Sequence, residues 1–223
     1  MQNFAVIGLG RFGSRLAASL AQAGHDVIAI DQNPEIVQDM RDRVTLAVSL
    51  DATDEDALRA QGVDKVDAAV VGIGHDFEAT TLATVVLKQM GVPRVIARAS
   101  SQVLARILAR VGADEVVNPE DEAADRWASR LVNPQFLNQI EFHEGHSIVE
   151  VRAPGEWVGQ TLVQLDVRAK YKLHVVALRR AADLGPKAGQ VRIEMPSPQD
   201  PLRAGDVLIL MGKDEDLARL PRS

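Results

Sequence analysis

The chain has 223 residues, 46% of them hydrophobic, which is enough apolar surface for two compact cores. Lys and Arg number 25 against 31 Asp and Glu, a net charge of −6 with no basic run, which argues against a nucleic-acid surface. Cysteine is absent; that removes thiolate catalysis, disulfides and Cys-ligated zinc, and it suits a cytosolic protein.

The chain enters a strand-like run by Phe4 with no basic-then-apolar leader, and no apolar stretch approaches the ~20 residues a membrane span needs. Strands are expected at 4–7, 27–30, 45–48, 68–73, 94–97 and 115–117. Between them lie helix-period segments at 11–23, 34–41, 54–61, 77–90 and 102–111. Gly24, Gly62, Gly91 and Gly112 stand where helices should stop. Alternation of this kind, with strands apolar nearly throughout, implies a doubly wound α/β fold: a Rossmann-like parallel sheet covered on both faces.

Asn118-Pro119 opens a connecting helix over 120–132 that stops at Asn133-Pro134. Beyond it "HSIVEVR", "LHVVAL" and "GDVLILMG" are three strand candidates, "GQTLVQLDVRAKY" has the look of one helix, and 182–189 and 196–201 are loop-rich. The expected organisation is a first domain over 1–133, including the connecting helix, and a small α+β domain over 137–223.

Gly8-x-Gly10-x-x-Gly13 follows a strand and opens a helix, the pattern of a dinucleotide fingerprint, and the second strand ends in Asp31, where a carboxylate can accept ribose hydroxyls and would repel a 2′-phosphate. A ligand-free turn explains the glycines less well, because strand, helix and acid are all in place. Arg11 sits where unpaired helix N–H groups already concentrate positive charge, so an anion is expected beside it; the plainer alternative is an arginine pointing to water. Asp51 and Ala52, in "LDATD", are placed to border a base, and the Gly72–Gly74 turn to approach a sugar. Asp54 and Asp76 are expected mainly as helix caps. His75 has no acid or base partner in the sequence and fits a surface loop better than proton transfer, and His143-Glu144-Gly145-His146 fits a hairpin tip without metal. Glu120, Asp121 and Glu122 complement a helix dipole; Glu120 could alternatively reach a metal ion held by phosphates.

"FAVIGLGRFG", "VIAIDQNPE", "DATDEDAL", "GIGHDFEAT" and "VGADEVVNPEDE", in this order and spacing, resemble the RCK family, the regulators of potassium conductance. "GQTLVQLDVRAKYKLHVVALRR" and "PLRAGDVLILMG" resemble its companion C-terminal domain, and the likeness is closest to cytosolic regulatory subunits of Ktr- and Trk-type bacterial potassium uptake systems. The resemblance implies a non-enzymatic gating subunit: dimers assembled into an octameric ring, lying in the cytoplasm under a membrane-embedded potassium-translocating subunit. It binds ATP or ADP, in some members NAD or NADH. Gly8, Gly10 and Gly13 then cradle phosphate, Asp31 holds ribose, Asp51 and Ala52 lie by adenine, and Arg11 meets the terminal phosphate. Arg98 matches a basic position near the phosphates, and Glu120 an acid that binds the nucleotide's Mg²⁺ or another cation. Phe12, Gln32, Thr53, Gly72, Ile73 and Gly74 complete the implied set. Some relatives bind cyclic di-AMP between paired C-terminal domains, and the matching stretch is Leu165, Asp166, Val167, Arg168 and Ala169, although the loop at 179–196 is longer than in close relatives.

Two competing functions follow from the residues. The fingerprint also permits an NAD-dependent oxidoreductase, against which stand a single tyrosine, Tyr171, and no Lys, Tyr and His constellation near the crevice. An NADH-sensing transcription factor would need a basic helix pair that the sequence lacks.

Overall fold

The opening strand, β1 (Asn3–Ile7), is apolar on both faces. Ala5 and Ile7 point into one buried cluster and Val6 into another, an arrangement only a sheet covered on both sides accommodates. The computed structural model describes residues 1–74, 76–181 and 191–221, and the chain divides into two units, Met1–Glu122 and Ala123–Ser223.

In the first unit β2 (Asp26–Asp31), β3 (Leu46–Ser49), β4 (Ala68–Val71), β5 (Val95–Arg98) and β6 (Glu115–Val117) join β1 in an all-parallel sheet of order β3-β2-β1-β4-β5-β6. Helices α1 (Arg11–Gln22) and α2 (Pro34–Met40) bring Ala17, Ala18, Val37 and Met40 against Val6, Val27 and Ala29 on one face. On the other face α3 (Glu55–Ala60), α4 (Phe77–Gln89) and α5 (Gln102–Arg110) bring Leu58, Leu87, Leu104 and Leu108 against Ala5, Ile7, Ala69, Val71 and Ala97. The chain therefore winds outward in opposite directions from the adjacent strands β1 and β4, and the loops leaving their carboxyl ends diverge to opposite faces. That divergence opens the crevice in which such sheets take ligands. The four glycines expected to close helices all adopt left-handed backbone, φ +87° at Gly24, +78° at Gly62, +83° at Gly91 and +109° at Gly112.

Helix α6 (Pro119–Val132) follows, with none of its residues buried and with Trp127, Leu131 and Val132 exposed. The division into units falls within it. The second unit is an antiparallel sheet of order β10-β9-β11-β8-β7, made by β7 (Phe136–His143), β8 (His146–Arg152), β9 (His174–Ala181), β10 (Val191–Glu194) and β11 (Val207–Lys213). Phe136, Val149, Val151, Trp157, Leu208 and Leu210 centre its core. Sequence periodicity finds the three central strands and misses both edges: β7 carries register shifts between Phe136 and Asn138 and between Glu141 and His143, which break its alternation. The single helix expected near 159–171 is two, α7 (Leu162–Leu165) and α8 (Val167–Tyr171), separated by Asp166 at φ +42°, whose carboxylate caps α8. A short α9 (Asp214–Leu217) closes the unit. The expected loop at 182–189 lies outside the described residues. Among the described residues no helix is long and apolar enough to cross a membrane.

Candidate functional site

The loop from Gly8 to Gly13 is held almost entirely by backbone. Gly8 takes φ +85° and donates its N–H to Ile30 O at 2.8 Å. Gly13 lies so close to that turn that a Cβ would stand 1.9 Å from Gly8 O, so α1 can reach the sheet only with glycine there. Asp31, at the end of β2, accepts from Leu9 N at 2.7 Å through Oδ2 and from Asn33 N at 2.9 Å through Oδ1, bracing the glycine loop. Each oxygen keeps a further lone pair for a ligand hydroxyl.

Gly10 is different. Its φ of −63° suits any residue, and a Cβ there would meet nothing within 4 Å, so neither conformation nor packing calls for glycine. It is the N-cap of α1 and lends no side chain to the helix's unpaired amides; the first turn carries no acid, and Arg11 is exposed. Phe12 is half-buried beside it. An open glycine beneath unpaired amides, flanked by a cation, has the donors and the room that a phosphate group requires.

The loop after β4 is packed on the first. Gly72 donates its N–H to Ile7 O at 2.6 Å, and a Cβ on Gly8 would strike Ile73 N at 2.8 Å. Thr80, buried in α4, donates its hydroxyl to Asp76 O at 2.6 Å and lies 3.3 Å from Ile73 O, pinning this loop from below. After β3, Asp51 accepts from Thr53 N at 2.9 Å and Thr53 Oγ1 at 2.8 Å. The Thr53 amide first, then its hydroxyl, hold the Asp51 carboxyl below its ordinary pKa. Ala52 is buried in the core beneath the loop, and Gln32, exposed, accepts Ser49 Oγ on its backbone carbonyl at 3.0 Å. Asp54 and Asp76 cap α3 and α4. His75 lies outside the described residues.

Arg98 ends β5 and Glu120 stands in the first turn of α6; the structure brings them together, Nη2 donating to Oε1 at 2.6 Å. The pair is lopsided, with 12% of the Arg98 side chain exposed against 60% of Glu120. Arg98 Nε is buried without a hydrogen-bond partner. The guanidinium rests against Gly74, where a Cβ would fall 2.5 Å from Nη1. Asp121, next to Glu120, is engaged by Asn118 Nδ2 at 2.6 Å. Among the described residues no three His, Asp or Glu side chains gather to hold a metal ion. A cation at Glu120 would be free to draw further ligands from phosphate or water.

The second set is partly structural. Leu165 and Val167 are in the core of the second unit, which leaves Asp166, Arg168 and Ala169 as the exposed members, Asp166 with its carboxylate engaged as a helix cap. His143 and His146 face each other across the β7–β8 hairpin, ring centroids 6.4 Å apart. Sequence reasoning missed the Thr80 brace and the Arg98–Glu120 pair. A threonine on a mostly apolar helix was the only local sign of the first, and 22 residues separate the members of the second.

Comparison with known proteins gives a consistent result. The TrkA-N domain model matches residues 4–119 and the TrkA-C domain model residues 146–222. The Ktr system potassium uptake protein C of Bacillus subtilis is 34% identical over 221 residues, covering 99% of this chain and 96% of that protein. Among solved structures, the GsuK channel bound to NAD is matched with a TM-score of 0.54 at 25% identity over 98% of this chain. GsuK bound to ADP is matched with a TM-score of 0.50 at 27% identity over 60% of it. The chain spans only 37% and 34% of those two longer channel chains.

Proposed function

This chain belongs to the RCK family, whose TrkA-N and TrkA-C domains it carries in that order, and from that premise we propose that it is the nucleotide-sensing regulatory subunit of a potassium uptake system. We assign residues 1–133 to nucleotide binding together with the connecting helix, and 137–223 to pairing and a second ligand.

The observation that carries the reading is Gly10, a glycine that the protein's own packing does not use, set among unpaired helix amides at the switch point of the sheet. Diphosphate of an adenine nucleotide, ATP, ADP or NAD(H), lies over Gly8, Gly10 and Gly13; Asp31 takes the ribose, and the loops at Asp51–Thr53 and Gly72–Gly74 flank base and sugar. ATP and ADP differ only in the terminal phosphate, so the residues that tell them apart are those reaching it, Arg11 together with Glu120 through a cation such as Mg²⁺. Differential contacts of that kind shift an assembly by about 1–3 kcal/mol per site, and several equivalent sites add.

The exposed Trp127, Leu131 and Val132 on α6 support assembly with further copies of this chain into a ring. The partner is a membrane-embedded potassium-translocating protein, met from the cytoplasmic side. Against an oxidoreductase, the one tyrosine, Tyr171, packs on Trp157 within the second unit, ring centroids 5.4 Å apart. Thermal unfolding with ATP, ADP, NAD and NADH, with and without Mg²⁺, tests the proposal. A ligand at one hundred times its Kd adds roughly 2.7 kcal/mol of apparent stability. No shift with any of the four overturns it, and hydride transfer from NADH to a small substrate would favour the enzyme.

A further inference from the structure

Arg98 and Glu120 carry a consequence that neither has alone. Their ion pair joins the end of β5 to the first turn of α6, and its two members are unequally placed: the guanidinium is nearly enclosed while the carboxylate is open to solvent. A buried guanidinium cannot be left without a counter-charge, whereas an exposed carboxylate is readily left in water or handed to a cation. Arg98 is also under-used, since Nε makes no hydrogen bond, and it leans on Gly74, one of the glycines bordering the crevice, where any side chain would push it away.

We infer that Arg98 is an exchangeable counter-ion: it neutralises Glu120 until a phosphate anion reaches the end of β5, then turns to the phosphate and leaves Glu120 bare for a divalent cation. This rests on the nucleotide reading above and adds its regulation, because Glu120 becomes an effective cation ligand only as Arg98 is drawn off. Without a cation, Glu120 and the phosphate compete for one guanidinium.

The sign of that competition is unusual and testable. ADP binding to the full chain is measured calorimetrically in EDTA for the wild type, Glu120→Gln, Arg98→Gln and the double variant. Removing the acid should tighten ADP by about fivefold or more, at the lower end of ordinary coupling between sites, and Arg98→Gln should weaken it. In the Arg98→Gln background the gain from Glu120→Gln should vanish. Gly74→Ala, which displaces the guanidinium without removing its charge, should also reduce that gain. A gain of equal size with and without Arg98 would mean simple relief of repulsion between Glu120 and phosphate, and it would overturn the exchange, as would no gain at all. Failure of the wild type to bind ADP in any buffer would instead remove the nucleotide reading beneath it. Glu120→Gln leaves the enclosed Arg98 without its counter-charge, so the melting temperature of each variant is measured without ligand to establish that it folds; Arg98→Met, which also removes the charge, replaces Arg98→Gln if the latter does not fold.

Discussion

The two sides of the crevice are made of different materials. On the β1 side the loop is held by close backbone packing and one fixed carboxylate: Gly13 under Gly8, Gly8 against Ile73, and Leu9 N donating to the Asp31 side chain, with distances that leave no slack. On the β5 side the contact is between charged side chains, Arg98 on Glu120 at 2.6 Å, which can exchange partners at little cost to the core. A rigid cradle suits the part common to every adenine nucleotide. An exchangeable charge suits the part that differs between them, because discrimination needs contacts that form with one ligand and not with another.

The largest effect that would sharpen this contrast is Gly13→Ala. Its Cβ meets a backbone oxygen that cannot move without moving β1, so urea unfolding should show a loss of about 3 kcal/mol or more. Gly10→Ala, three residues away, should cost about 1 kcal/mol or less, the ordinary price of a poorer N-cap. It should nevertheless weaken ADP roughly tenfold or more, equivalent to one lost amide–phosphate hydrogen bond. Equal destabilisation by both would erase the distinction between packing glycine and ligand glycine. Smaller again, Arg11→Ala should leave the melting temperature unchanged and reduce ATP relative to ADP by about tenfold, as expected for one charge-assisted contact. Equal losses for both nucleotides would break the assignment of Arg11 to the terminal phosphate.

The smallest effect is one of pH. Asp114 accepts Val95 N at 2.6 Å and Lys88 Nζ at 2.9 Å, and the Val95 amide first, then Lys88, lower its pKa from 3.8. A carboxyl lowered on folding adds stability that is present above its unfolded pKa and is lost as pH falls through the still lower folded value. Asp114→Asn should therefore flatten the stability profile below about pH 4 and lower stability modestly at neutral pH, as followed by chemical unfolding at several pH values. An unchanged acid limb would show that this contact does not contribute.

How much of this was legible in advance differs between the two units for a physical reason. In the first, the strands are short apolar runs, buried at the centre of the sheet and partly exposed at its edges β3 and β6, so β1 to β6 stand out in the chain, with ends shifted by one or two residues. In the second, the central strands β8, β9 and β11 still stand out, β8 by its alternation and β9 and β11 by their apolar runs. The bulged edge strand β7 does not, and Asp166 splits one expected helix into two by capping the next.

Within the site the same division holds. Gly8, Gly13 and Asp31 were recognisable because a left-handed turn, a close helix approach and a strand-end acid are local demands, each met within a few residues of chain. That Ala52 turns into the core, that Thr80 pins the loop above it, and that Gly10 has open space could be settled only by what packs around them. The pairing of Arg98 with Glu120 is the clearest case: one-dimensional spacing says what charges a chain carries, but which of them touch depends on the parallel sheet that sets the end of β5 beside the start of α6.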